Sequence, residues 1–493
     1  MSKRTYLPWD HSQTFLLPPS LTDWLPSDHL AFFVLELVGE LDLVAFEKVD
    51  AGKDLRGQKA YAPAMMVALL VYGYCTGVFS SRKLEQASCV DVAFRVLCAN
   101  QQPHFTTINE FRRRHREALA ELFLQVLKLC QRAGLVKLGQ VSVDGTKMQA
   151  NASKHKAMSY VRMQAEEKRL KDQIEQMLSS ADEIDAQEDA LFGEGQRAFE
   201  LPDELKRRET RLAKIREAKA ALEQEAREQR AKELREQAKN RDESAQKQMP
   251  ERFKKGQSTG AKRARERAHE LDGRDETLEP KQGELPLRSM EVQTDATPKP
   301  TSQRNFTDPQ SSIMPGRHGF VQAYNCQAAV DGAHQIIVAA DVTNQSVDNA
   351  LLKPMAEQVR DNTGGLPEVF LADSGYWNPA VVESVRDLGT EVLVAIKRDK
   401  HGVVTPLVQG PPPEGLSSRE RMAWSLATSE GRAKYARRKA TVEPVFGQIR
   451  VRQRFNRISF RGVRAAAAEW KLVAACHNLL KLFRFVPEAL ALA

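Results

Sequence analysis

The sequence predicts an α/β domain that is interrupted by a long helical insert and preceded by an all-α region. Three shifts in composition along the 493 residues predict this. Residues 15–135 are apolar-rich with helical spacing, residues 155–300 are charged, and residues 318–400 carry alternating β-rich runs bounded by turn residues. A chain of this length amounts to about three domains at roughly 150 residues each. The hydrophobic share of 42% is enough to bury at least one sizeable core.

Other properties narrow the function classes. The net charge of +8 permits a polyanionic partner without requiring one. No run approaches 18 apolar residues, so no membrane span is expected. Met1–Asp10 has no apolar signal core, which predicts a cytoplasmic protein. Six cysteines without regular spacing, no CxxC pair and no HExxH speak against a disulfide framework or a thiolate zinc site.

In the N-terminal region, Ala64–Tyr74 is a nearly continuous apolar run of buried-helix length. Phe111–Leu129 has helical spacing, with Thr106 or Thr107 as its expected cap. Val141–Val143 is a short apolar strand that Asp144 ends. In the insert, Asp203–Met249 lacks Gly and Pro and predicts one long polar helix. Its stripe Leu205, Leu212, Ile215, Leu222 can pair with Met163, Leu170, Ile174, Met177 as an antiparallel coiled hairpin, or the helix can stand solvated. Glu251–Arg304 reads as a polar, loosely held linker. Gly319–Val330 and His334–Val342 form a hairpin turned at Asp331-Gly332. A helix (Asn349–Arg360), a strand (Glu368–Ala372), a helix (Pro379–Leu388) and a buried strand (Glu391–Ile396) follow. Lys434–Phe485 is helical, with a start or kink at Pro444.

Three acids stand out by context. Asp144 and Asp373 each end an apolar strand and precede Gly-Thr or Ser-Gly, and Glu443 lies in a strongly basic segment. Carboxylates at strand C-termini face the crevice where α/β sheets bind ligands. Joined by a helix carboxylate, they can converge on two divalent cations, and hard oxygen donors suit Mg²⁺ or Mn²⁺. Taken singly, Asp-Gly after a strand is most often a turn, and a Glu among arginines is most often a surface ion pair. The order strand-Asp, insert, hairpin, strand-Asp, helix-Glu is more specific than its parts. From Lys434 to Arg464 there are ten Lys/Arg against Glu443 alone, a candidate phosphate-contacting face. Trp377 can stack on an unpaired base or pack on the sheet. His318, His334, His401 and His477 have no metal-ligand spacing.

The chain resembles bacterial insertion-sequence transposases of the DDE type, in the branch with a tyrosine-arginine-glutamate-lysine signature. The N-terminal likeness runs from about Phe15 to Leu129 and includes Tyr61-Ala62-Pro63, Tyr72-Gly73-Tyr74, Ser80–Glu85 and Thr106-Thr107-Ile108. Val143-Asp144-Gly145-Thr146-Lys147 with Ala150–Ser153 resembles the first catalytic block, and Ala372-Asp373-Ser374-Gly375-Tyr376 the second. Arg304–Pro309 and Ala323–Gln327 resemble the markers between them. Tyr435, Arg438, Glu443 and Arg450 resemble the third block, with one extra residue between Arg438 and Glu443 and Arg in the lysine place. Arginine there exchanges a point donor for a planar fork.

The resemblance implies an RNase H-like catalytic domain (136–155 and 305–493), a helical charged insert and linker (156–304), and a helical N-terminal, DNA-end-binding domain (1–135). It implies catalysis and metal binding by Asp144, Asp373 and Glu443, with two Mg²⁺ ions that Mn²⁺ can replace. It further implies double-stranded DNA as partner (terminal inverted repeats and target), contacted by Tyr435, Arg438, Lys439, Arg450, Arg452 and Arg454, and a homodimer in the synaptic complex. The rivals are a non-catalytic transposase-derived DNA-binding protein, against which the three acids speak, and a structural coiled-coil protein, which leaves the strand-end aspartates unexplained.

Overall fold

The computed structural model describes residues 20–50, 60–192, 203–246, 251–272, 284–288, 290–316, 319–396 and 406–485. Phe15, Met249, His318 and His401 lie outside the described residues.

Among the described residues, seven α-helices follow a 3-10 turn at Leu21–Trp24: α1 (Leu30–Glu40), α2 (Val44–Asp50), α3 (Pro63–Thr76), α4 (Ser81–Val90), α5 (Val92–Leu97), α6 (Phe105–Arg114) and α7 (Arg116–Arg132). The apolar run makes α3 a core helix, buried continuously from Met66 to Cys75. The single helix expected over Phe111–Leu129 is two, because the chain bends at His115 between α6 and α7. Neither expected threonine caps α6; His104 does, its Nδ1 accepting from the Thr106 amide at 3.4 Å. No single described helix is long and apolar enough to cross a membrane; α3 and α4 reach that composition only together, across a 99° bend.

β1 (Gln140–Gln149) opens the sheet. β2 (Ala157–Ser159) leads into the insert, α8 (Tyr160–Phe192), α9 (Asp203–Gln246) and α10 (Glu251–Asp272), and β3 (Gln303–Asn305) returns beside β2. The two apolar stripes face one another: Met163 and Leu170 of α8 are buried with Leu212, Ile215 and Leu222 of α9. Tyr160 bonds Glu223 at 2.7 Å and Glu167 accepts from Lys219 at 2.9 Å, so the two helices run antiparallel. The loose linker expected from Glu251 starts instead as α10, laid on α9 through Ala238, Ala261 and Ala264. Alanines offer little apolar area but let backbones approach closely, a packing that a count of large apolar residues overlooks. Residues 284–288, without regular structure, are also tied down: Thr343 donates to the Pro286 carbonyl at 2.6 Å, and Leu285 is buried.

The rest is β4 (Ser312–Gly316), β5 (Gly319–Asp331), β6 (Ile337–Thr343), α11 (Leu352–Thr363), β7 (Val369–Ala372), α12 (Pro379–Arg386), β8 (Glu391–Val394), α13 (Ser418–Ala427), α14 (Ser429–Val451) and α15 (Val463–Phe485). The sheet order is β4-β5-β1-β7-β8, with β6 also on β5. β5 is antiparallel to β1, β4 and β6, whereas β7 is parallel to both β1 and β8. The β5–β6 connection is wider than a two-residue turn. Asp331 is fully buried, and its carboxylate accepts from the amides of Lys137, Leu138 and Ala333.

α14 runs through Pro444 instead of starting there. Proline cannot donate to the carbonyl four residues back, that of Ala440. The Gln335 side chain takes that role, its Nε2 donating to the Ala440 carbonyl at 3.0 Å. α15 is buried along most of its length between the sheet and the N-terminal helices, and one continuous apolar cluster joins both.

Candidate active site

β1 differs along its length in a way that places Asp144. It pairs with β7 only from Gln140 to Val143, but with β5 from Val141 to Gln149. The expectation that Asp144 ends the strand is therefore corrected: the strand continues to Gln149, and Asp144 is the first residue past the β7 pairing. Val143 lies opposite Ala372, so Asp144 and Asp373 stand side by side where the parallel pairing of β1 and β7 ends. That is the crevice at the carboxyl ends of strands.

Asp373 caps a single 3-10 turn, its Oδ1 accepting from the Gly375 amide at 2.8 Å. Asp144 accepts from the Gly145 amide at 2.8 Å. Burial, and next the Asp373 charge, push its carboxyl up to about 6, against the pull of Gly145 and Arg438.

Helix α14 lies across this crevice. Tyr435 donates to the Ala372 carbonyl at 3.2 Å, fixing the helix over the end of β7. Arg438 is turned inward, 7% exposed, with Nη1 3.4 Å from Asp144 and Nη2 3.7 Å from Glu443. Arg450 donates to Thr146 Oγ1 at 2.6 Å and to the Lys147 carbonyl at 3.0 Å. Lys439, Arg452 and Arg454 are exposed. Trp377 packs against the core and is partly buried.

The expected convergence of three carboxylates on one cation site is not met by these side-chain positions. Among the described residues, no group of three His, Cys, Asp or Glu is placed to hold a metal ion. The reason is visible: the Arg438 guanidinium lies between Asp144 and Glu443, and the Glu443 side chain is 56% exposed. The donor chemistry nevertheless fits a hard divalent cation. Two aspartates side by side repel one another, and a cation relieves the repulsion that adds to burial in raising the Asp144 carboxyl.

A fourth acid escaped the sequence reading. Asp348 Oδ1 accepts from Asn325 Nδ2 at 2.6 Å and Gln327 Nε2 at 2.9 Å, and Lys147 Nζ is 3.5 Å away. A Cβ on Gly375 would stand 3.0 Å from Asp373 Oδ1 and 3.6 Å from Asp348 Oδ2, so the two carboxylates are neighbours. Tyr376, fully buried, donates to Gln327 Oε1. A Cβ on Gly145 would meet Gln327 Nε2 at 2.2 Å and Asn325 Oδ1 at 2.7 Å, so both side chains would have to shift. The only sequence signal for Asp348 was its place in a polar loop between β6 and α11.

Two family models match the chain: the transposase DDE domain over residues 288–479 and a transposase domain (DUF772) over residues 19–114. The first match contains Asp373 and Glu443, while Asp144 falls between the two matched segments. Comparison with curated proteins and with solved structures gave no match.

Proposed function

The chain belongs to the insertion-sequence transposases of the DDE type, and from that premise we propose that Asp144, Asp373 and Glu443 serve DNA strand cleavage at transposon ends and strand transfer to target DNA. The domain implies an RNase H-like fold, to which the mixed sheet with β1 at its centre corresponds. The observation that carries the assignment is that Asp144 and Asp373 stand side by side where the β1–β7 pairing ends, with α14 bringing Glu443 to the same place.

Asp144, Asp373 and Glu443 are the residues that would hold two Mg²⁺ ions, or Mn²⁺ in their place. When bound, such ions activate the attacking oxygen and stabilise the leaving one. The chain's own part is to orient and to screen. Arg438 bridges Asp144 and Glu443 and offsets their charge. Arg450 holds β1 beyond Asp144 in line, and Tyr435 fixes α14 to β7. Lys439, Arg452 and Arg454 are free to meet phosphates of duplex DNA at the inverted repeats and the target, in a synaptic homodimer working in the cytoplasm. The tyrosine-arginine-glutamate-lysine branch is the reading for α14, with Arg450 in the lysine place.

The test is cleavage of a duplex carrying the element's own ends, with Mg²⁺ and with chelator, for wild type and Asp373→Asn. Asn keeps the shape of the side chain and removes its charge. Cleavage should require the ion and vanish in the variant, while end binding persists. Binding without cleavage in wild type would favour the non-catalytic rival.

A further inference from the structure

A phosphodiester entering this crevice needs positive charge, and three cations lie on or against β1 between Asp144 and Lys147. Arg438 is engaged by Asp144 and Glu443, and Arg450 by Thr146 and the Lys147 carbonyl. Lys147 differs. Its side chain is one-fifth exposed, and its ammonium is 3.5 Å from Asp348 Oδ1, an oxygen that two amides already reach at 2.6 and 2.9 Å. A charge-assisted bond of normal length is about 2.7–2.9 Å, so this contact is loose and its ammonium protons are under-used. The pair borders Asp373, since Asp348 Oδ2 and Asp373 Oδ1 flank the same point beside Gly375.

We propose that Lys147 contacts the scissile phosphate and that Asp348 is the positioning residue that aims it. The inference rests on the reading of Asp373 as a catalytic acid. Lysine loses much rotamer freedom when held. Asp348 supplies that restraint in advance, because Asn325 and Gln327 of β5 lock its carboxylate and Tyr376 locks Gln327. Gly145 leaves the space in which this polar layer sits across β1.

The experiment is single-turnover cleavage of an end duplex at saturating protein with Mg²⁺, comparing Lys147→Gln, Lys147→Arg, Asp348→Asn and the double variant Lys147→Gln/Asp348→Asn. Lys147→Gln should slow cleavage by about 10²-fold, the size of losing one preorganised donor to developing negative charge. It should also lower the salt slope of end binding by about 0.9. Lys147→Arg should recover part of the rate. Asp348→Asn should slow cleavage by roughly tenfold, and the double variant should be no slower than Lys147→Gln, because the two residues act as one unit. A wild-type rate in Lys147→Gln overturns the proposal, as does a large loss of melting temperature in both lysine variants. Multiplying effects in the double variant overturn the positioning role. If Asp373→Asn cleaves like wild type, the catalytic reading itself is what has failed.

Discussion

At the residue scale, Asp144 is a carboxylate whose place costs stability. Its carboxyl is pushed up to about 6 from the ordinary 3.8, first by burial and then by Asp373. A raised acid favours folding fully below its unfolded value, and that contribution is lost as pH rises through about 6. At 1.36 kcal/mol per tenfold change, the cost above pH 6 is about 3 kcal/mol, an order of magnitude. Asp144→Asn in chelator should therefore melt higher than wild type at pH 8. The margin should shrink between pH 6 and 4 and disappear below, while cleavage is lost at every pH. Equal melting curves at pH 8 would show that Arg438 already cancels the repulsion. Arg450 carries a revised expectation too. Its bonds to β1 make it more than a surface phosphate contact, so Arg450→Ala should loosen the strand beside the site as well as weaken DNA binding.

At the element scale, α14 is the helix that decides whether the acids can work together. Its weak point is Pro444, next to Glu443. Gln335 clamps it: besides bonding the Ala440 carbonyl, its Oε1 accepts from Lys481 at 2.8 Å, and its own carbonyl is 3.0 Å from His477 Nε2. Gln335 sits at φ +61, a region Asn tolerates well. Gln335→Asn thus tests reach alone. Leaving the Ala440 carbonyl and Lys481 unpaired should cost about 1–3 kcal/mol. Cleavage should fall while end binding stays, since Glu443 loses its fixed helix and the exposed arginines do not. Unchanged denaturation midpoint and cleavage would remove Gln335 from this role.

At the scale of the whole molecule, the N-terminal helices and the helix α15 that covers the sheet are welded through a buried polar knot. Arg112 of α6 pairs with Glu469 of α15 at 3.1 Å, both nearly or fully buried. Tyr74 of α3 donates to Glu469 at 2.7 Å, and Arg112 reaches Ser459 at 2.9 Å in the loop that follows α14. Removing one partner leaves a buried charge unpaired, at a cost of about 3–5 kcal/mol. Arg112→Met should lower stability by that much in denaturant titrations. It should also let the N-terminal helices unfold in a separate, earlier transition. A single transition with an unchanged midpoint would mean that the apolar cluster alone couples the two parts.

Much of this molecule follows from periodicity and local chemistry. The apolar run of α3, the facing stripes of α8 and α9, the β5–β6 pair and the strands before Asp144 and Asp373 are all readable because side-chain spacing reports burial directly. The break at His115 left no trace in the side-chain spacing, and the docking of α10 through alanines and the Gln335 hydrogen bond to α14 depend on partners elsewhere in the chain. The same holds at the site. Sequence alone determined that Asp144 and Asp373 each follow an apolar strand segment, and that a basic helix comes after them. Only the tertiary structure decided that Arg438 turns inward between Asp144 and Glu443, and that Asp348 joins Asp373. Charge pairing across strands and helices depends on three-dimensional distance, which spacing along one chain does not encode.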